Sequence, residues 1–222
     1  MESLKVTFTF SSPVVVPEYP IHLDALLAWA KVEEAKDQGS ENPFPAQESL
    51  PLGTYGGIWQ ASALAFTPVG TSFFIPLTRK FDINSLANDQ GLKYEGKKNK
   101  FTQGSGKFKG YNLMMHCRWM LKAEAWGIGD LKEVVRLLSS VTSISNYRRI
   151  GYGEVASCKV TLAKDQSLWM ARNVPTDTEL LPGILFARAQ QNLRSPYWER
   201  TSFQEVFCPI GIEDQPEIMF FG

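Results

Sequence analysis

The sequence predicts an α+β chain of the ferredoxin-like βαββαβ class, carrying a basic inserted hairpin and a C-terminal extension. Three observations predict it. Period-two alternation of apolar and polar residues recurs along the first 162 residues, two stretches with helical spacing fall between those strands, and a lysine-rich segment interrupts the order before the third strand. The expected layout is one domain over residues 1–222, with the basic insertion at about 80–111 and the extension at about 163–222.

The elements follow in order. Leu4, Val6, Phe8 and Phe10 alternate with Lys5, Thr7 and Thr9, the pattern of a half-buried strand. After a proline-punctuated turn from Pro13 to Pro20, Leu23, Leu26, Leu27 and Ala30 fall at i, i+3, i+4 and i+7, and Asp24 suits the positive end of a helix dipole, which predicts a helix over about 21–36. Pro, Gly and Ser fill residues 37–57, a loop. Residues 58–67 and 71–78 read as strands. Beyond the basic segment, Leu113, Met115, Cys117, Trp119 and Leu121 alternate with polar and mixed residues, a long strand. Asp130 with Glu133 three residues on is a capping-box pattern, and Leu131, Val134, Val135 and Leu138 form the stripe of a second helix ending near Val141. SNYRRIGYGEV (145–155) leads into a last alternating run, 155–162. In this class one sheet face is covered by helices and the other is left free to meet a ligand.

The chain has 222 residues, of which 44% are hydrophobic and 21% charged, and this excludes a disordered or low-complexity class. No apolar run approaches the roughly 20 residues of a membrane helix, so a membrane role is not expected. The alternating N-terminus lacks the basic head and apolar block of a secretory signal, and Cys117, Cys158 and Cys208 are widely spaced; both point to a reduced, cytoplasmic chain without a disulfide framework.

The formal net charge of zero hides a strong asymmetry. Residues 1–60 carry three basic and eight acidic side chains, residues 61–122 ten basic and three acidic, and residues 123–222 ten and twelve. The densest part, from Lys93 to Tyr111, interleaves six lysines with glycines and four aromatic residues, Tyr94, Phe101, Phe108 and Tyr111. Such a stretch cannot be buried and must face solvent or a partner. Its plain reading is a solvated loop. Its sharper reading is a phosphate-contacting finger whose aromatic rings stack on unpaired bases. Arg148, Arg149, Gly151, Tyr152 and Gly153 form a second constellation, in which glycines let a backbone approach a phosphate and the arginines and tyrosine add charge and a stacking surface. Its plain reading is a tight turn between helix and strand.

Catalytic motifs are scarce. His22 and His116 are the only histidines, and neither lies in HExxH or a His/Cys cluster, so no metal site and no cofactor is expected. GxSxG is absent, and Gly104, Gly106 and Lys107 do not fit the spacing of a phosphate loop. His22, at the start of the first helix, reads as a structural histidine or cap sooner than as a general base, and His116 sits beside Arg118 on the mixed face of its strand. Metal-free RNA cleavage needs a base for the 2′-hydroxyl and a cation for the developing charge, which histidine with lysine or arginine supplies. The sequence permits that reaction without indicating it.

A glycine-containing loop between the second helix and the last strand, with a basic insertion before the third strand, resembles the RAMP proteins of CRISPR systems, whose domains are ferredoxin-like and RRM-like. The opening VTFTFSSPVVVPEYPIHLDALLAWA, the basic centre and RRIGYGEV are similar to the type IV CRISPR effector subunit that holds the 5′ handle of the guide RNA. The resemblance implies a non-catalytic subunit of a ribonucleoprotein. Such a subunit grips the 5′ handle, touches the first backbone subunit, and assists the large subunit on target DNA near the protospacer-adjacent motif. It further implies a thumb hairpin over the guide, a role that falls here to Lys93, Lys97, Lys98, Lys100, Phe101, Lys107, Phe108 and Lys109. The loop role falls to Gly151, Tyr152 and Gly153, with Arg118, Arg148 and Arg149 as added cations. Two alternatives stand beside it. One is a metal-independent endoribonuclease for CRISPR repeats that uses His22 or His116; the other is an assembly protein whose basic loop meets an acidic protein surface.

Overall fold

The computed structural model describes residues 1–79, 110–145, 147–197 and 199–221. They form two compact units, Met1–Thr71 together with Arg118–Gly222, and Ser72–Cys117. In chain order the elements are β1 (Glu2–Phe10), β2 (Val14–Val15), α1 (Leu23–Asp37), β3 (Thr54–Tyr55), β4 (Ile58–Trp59), β5 (Ala65–Arg79), β6 (Tyr111–Gly129), α2 (Leu131–Leu138), β7 (Val155–Leu162), β8 (Val174–Pro175), β9 (Ile184–Gln191), β10 (Gln204–Ile212) and β11 (Gln215–Met219).

The expected ferredoxin-like βαββαβ class is corrected by the sheet. Among the described residues the chain builds a nine-stranded sheet in the order β7-β1-β6-β5-β11-β10-β8, with β2 on β6 and β9 on β10, and only two α-helices accompany it. Where pairing partners are defined the strands run antiparallel. Two physical features explain the misreading. Pro68 and Gly70 punctuate what is one continuous strand, β5, and residues 163–222, rich in proline, supply β8 to β11.

In the larger unit, β1 buries Leu4, Val6 and Phe8 and turns Lys5, Thr7 and Thr9 to the opposite face, as the alternation demands. These apolar residues meet Ala123 and Ala125 of β6, Leu27 and Ala30 of α1, and Val134, Leu137 and Leu138 of α2 in the main core. Full burial of a side chain such as Phe8 contributes about 1.5–3 kcal/mol. Asp130 caps α2 by accepting from the Glu133 amide at 3.1 Å. The reciprocal half of the capping box does not form, because the Asp130 amide donates to the Pro51 carbonyl and Glu133 pairs with Arg136. A second apolar cluster, Ala63, Ala65, Ala171, Ile218 and Phe220 with Trp126 and Ile184 against it, joins β5 and β6 to the C-terminal strands. Gly129 lets the chain at Pro51 approach closely: a Cβ there would stand 2.4 Å from the Pro51 carbonyl oxygen.

In the smaller unit, the Phe74 and His116 rings stack with centroids 5.1 Å apart. Phe74, Leu113 and Met114 are exposed, whereas Met115 and Cys117 are buried.

Candidate nucleic-acid interface

The Arg148–Gly153 turn is built from the fold outward. Arg148–Ile150 form one turn of 3₁₀ helix, and Gly151 ends it in the left-handed region at φ +87°. Gly153 has φ +70°, and a Cβ there would lie 2.3 Å from the Ile144 carbonyl oxygen. Both glycines are therefore demanded by backbone geometry. The amides of Ile150 and Gly151 donate to the carbonyls of Tyr147 and Arg148, that of Gly153 to the Pro13 carbonyl at 2.9 Å, and that of Glu154 to the Ser12 hydroxyl. The turn thus presents side chains outward while most of its amides serve the fold. Tyr152 is half-buried and its carbonyl accepts from the Ser143 hydroxyl at 2.9 Å.

Arg148 and Arg149 are exposed. The Arg148 guanidinium lies 5.1 Å from the centroid of the Trp29 ring on α1, a cation–π contact that holds it in place. Arg149 makes no ion pair among the described residues. Trp29 also lines an apolar groove of about 610 Å³ with Ala28, Val32, Phe44, Pro196 and Tyr197. Arg118 is half-buried on β6 and donates to the Gly70 carbonyl at 3.2 Å. Lys93, Lys97, Lys98, Lys100, Phe101, Lys107, Phe108 and Lys109 lie outside the described residues.

His22 is fully buried, and its Nε2 accepts from the Asn173 amide at 3.2 Å. The neutral ring then carries its proton on Nδ1. It stacks on Tyr197 with centroids 4.3 Å apart. Burial foremost, with the Arg172 charge behind it, holds its pKa well below 6.5. A neutral ring sealed inside the protein has no face open to an RNA hydroxyl. His116 is half-buried against Phe74.

Sequence reasoning missed the polar knot around His22. Arg172 is fully buried and donates to the carbonyls of Trp59, Ala61 and Leu193 and to the Tyr197 hydroxyl at 2.7 Å. Tyr197 donates onward to the Asp24 carboxylate at 2.9 Å, and Asp24, also fully buried, lies 3.7 Å from the guanidinium. Burial raises the Asp24 pKa despite the arginine, and it drives the Tyr197 pKa well above 10. The knot ties α1 to the loops flanking β8 and β9. No sequence spacing announces it, because Asp24, Arg172 and Tyr197 come from distant parts of the chain.

Among the described residues no group of His, Cys, Asp and Glu is arranged to hold a metal ion, and no helix is long and apolar enough to cross a membrane. Residues 2–209 match a family model described as CRISPR type IV associated protein Csf3. No curated protein matches the chain.

Proposed function

This chain belongs to the Csf3 family of CRISPR type IV associated proteins, and we propose on that premise that it holds the guide RNA without cutting it. It grips the 5′ handle of the guide and contacts the neighbouring backbone and large subunits during recognition of target DNA. The observation that carries this reading is the exposed pair Arg148 and Arg149, presented on a glycine-fixed turn with one guanidinium braced on Trp29. Braced cations meet phosphates with little ordering cost. The lysines of 93–109 add phosphate contacts, and Phe101 and Phe108 add stacking surfaces for an unpaired strand. The burial of His22 supports holding over cleavage, since it removes one of the two histidines from reach of a substrate.

Alanine at Lys97, Lys98, Lys100, Lys107 and Lys109 together is expected to weaken binding of single-stranded repeat RNA. It is also expected to flatten the dependence of log affinity on log salt concentration by about 0.7 for each phosphate contact removed. An unchanged salt slope overturns the assignment of that stretch. Arg149→Ala tests the turn in the same assay, with an expected loss of one contact.

A further inference from the structure

The register of β7, β1 and β6 places nine side chains on one surface in three rows. Thr161, Lys5 and Trp126 face one another across the strands; Lys159, Thr7 and Glu124 form the next row; Ser157, Thr9 and Lys122 form the third. With strands about 4.8 Å apart and alternate residues about 6.7 Å apart, the surface measures roughly 10 by 13 Å between Cα atoms. The other face of the same strands holds Leu4, Val6, Phe8, Ala123 and Ala125 in the main core. Ser157, Lys159 and Thr161 of β7 are exposed, Lys5, Thr7, Thr9 and Lys122 are half-buried, Glu124 is buried, and Trp126 is half-buried against the second apolar cluster.

The charges on this surface do not cancel. Glu124 is the single anion, and it receives Lys5 at 2.7 Å and Lys122 at 2.9 Å. Burial pushes its pKa up, but the two ammonium groups together hold it below the ordinary carboxylate value. Thr7 stands between Glu124 and Lys159 in the middle row, so the third lysine is two strands from the anion and makes no ion pair among the described residues. Three cations and one anion leave two positive charges in excess. Lys5 also lies 5.7 Å from the Trp126 ring centroid. The Thr9 and Ser157 hydroxyls bond to each other at 2.7 Å.

We propose that this face of β7, β1 and β6, which is most open along β7, carries the phosphate backbone of a single-stranded RNA. The proposal rests on the RNA-holding function above and gives it a contact surface separate from the arginine turn and the lysine-rich stretch. Ammonium and hydroxyl donors with a net positive charge match phosphate oxygens. A protein-docking patch has the opposite composition: its centre is apolar or aromatic and depleted in lysine, and here Trp126 is the one apolar side chain among the nine.

The test uses the full chain and a fluorescein-labelled oligouridine, with affinity read by anisotropy across a salt series. Lys5 and Lys122 both neutralise Glu124, so removing them endangers the fold. The informative variants are Lys159→Gln and Glu124→Gln. Lys159→Gln is expected to weaken binding and lower the salt slope by about 0.7, and Glu124→Gln is expected to tighten binding. If the wild type binds and neither variant changes affinity or slope, the face is overturned while the RNA-holding function stands. If the wild type does not bind, both fall. If Lys159→Glu leaves RNA affinity unchanged but detaches the chain from co-expressed complex subunits after RNase treatment, the face is a protein contact and the proposal is overturned.

Discussion

Replacing Arg172 by methionine is expected to be among the most damaging single changes in the chain. The substitution keeps an unbranched apolar stem and removes the guanidinium. The carbonyls of Trp59, Ala61 and Leu193 and the Tyr197 hydroxyl then lose a donor, and Asp24 loses the positive charge 3.7 Å from its carboxylate. Both ionic side chains are fully buried, so water does not replace the lost partners. Breaking one side of such a pair costs about 3–5 kcal/mol. In a chain of this size each kcal/mol moves the melting temperature by about 2–4 °C, so the midpoint should fall by on the order of 10 °C. Thermal melts followed by circular dichroism, with urea titrations for the free energy, measure this. Adding Asp24→Asn to Arg172→Met removes the orphaned charge and should recover part of the loss. An Arg172→Met variant within about 1 kcal/mol of wild type, or a double variant worse than the sum of the singles, would refute the argument.

Three further outcomes are expected. Because burial and Arg172 depress the His22 pKa, the folded chain keeps the ring neutral while the unfolded chain takes up a proton near pH 6.5. The stability this confers is complete above pH 6.5 and is lost as pH falls below it, by up to about 1.4 kcal/mol per pH unit. His22→Gln, which retains an acceptor for the Asn173 amide, should remove that slope between pH 6.5 and 5.5, and equal slopes in both proteins would contradict it. Gly153→Ala should destabilise by about 1–3 kcal/mol from its positive φ alone, and by more once the contact with the Ile144 carbonyl is added, whereas Gly151→Ala meets open space and carries only the first cost. Urea midpoints of the two variants give the comparison. Tyr197→Phe removes one hydroxyl between Arg172 and Asp24 and should cost about 1–3 kcal/mol, a loss that the same titration reads.

Legibility in the sequence followed the range of the interactions involved. Leu4, Val6 and Phe8 announce β1 because period-two alternation is local, and Asp130 announces α2 because a cap reaches only three residues. The run 155–162 is β7 as read. The long strands were less readable. Pro68 and Gly70 look like a break, yet β5 runs through them, and β6 extends seven residues beyond Lys122 to Gly129. The C-terminal strands were not readable, since Pro175, Pro209 and Pro216 sit inside them and their pairing is set by distant partners. Those strands turn the expected ferredoxin-like domain into a nine-stranded sheet. For the candidate site, Arg148, Arg149 and the two glycines were visible as a motif, but the brace on Trp29 was not. Nor was the grid of Lys5, Lys122 and Lys159, which exists only once β1 is paired on both sides.

The chain is expected to hold single-stranded guide RNA and to leave it intact. One experiment tests this directly: purified protein incubated without metal with end-labelled CRISPR-repeat RNA or a scrambled RNA of equal length, each sample run on a native gel and again after denaturation. The expected result is a shift that favours the repeat 5′ handle, with full-length RNA in the denatured lane. A discrete cut in the denatured lane, or an equal shift with the scrambled RNA, would contradict it.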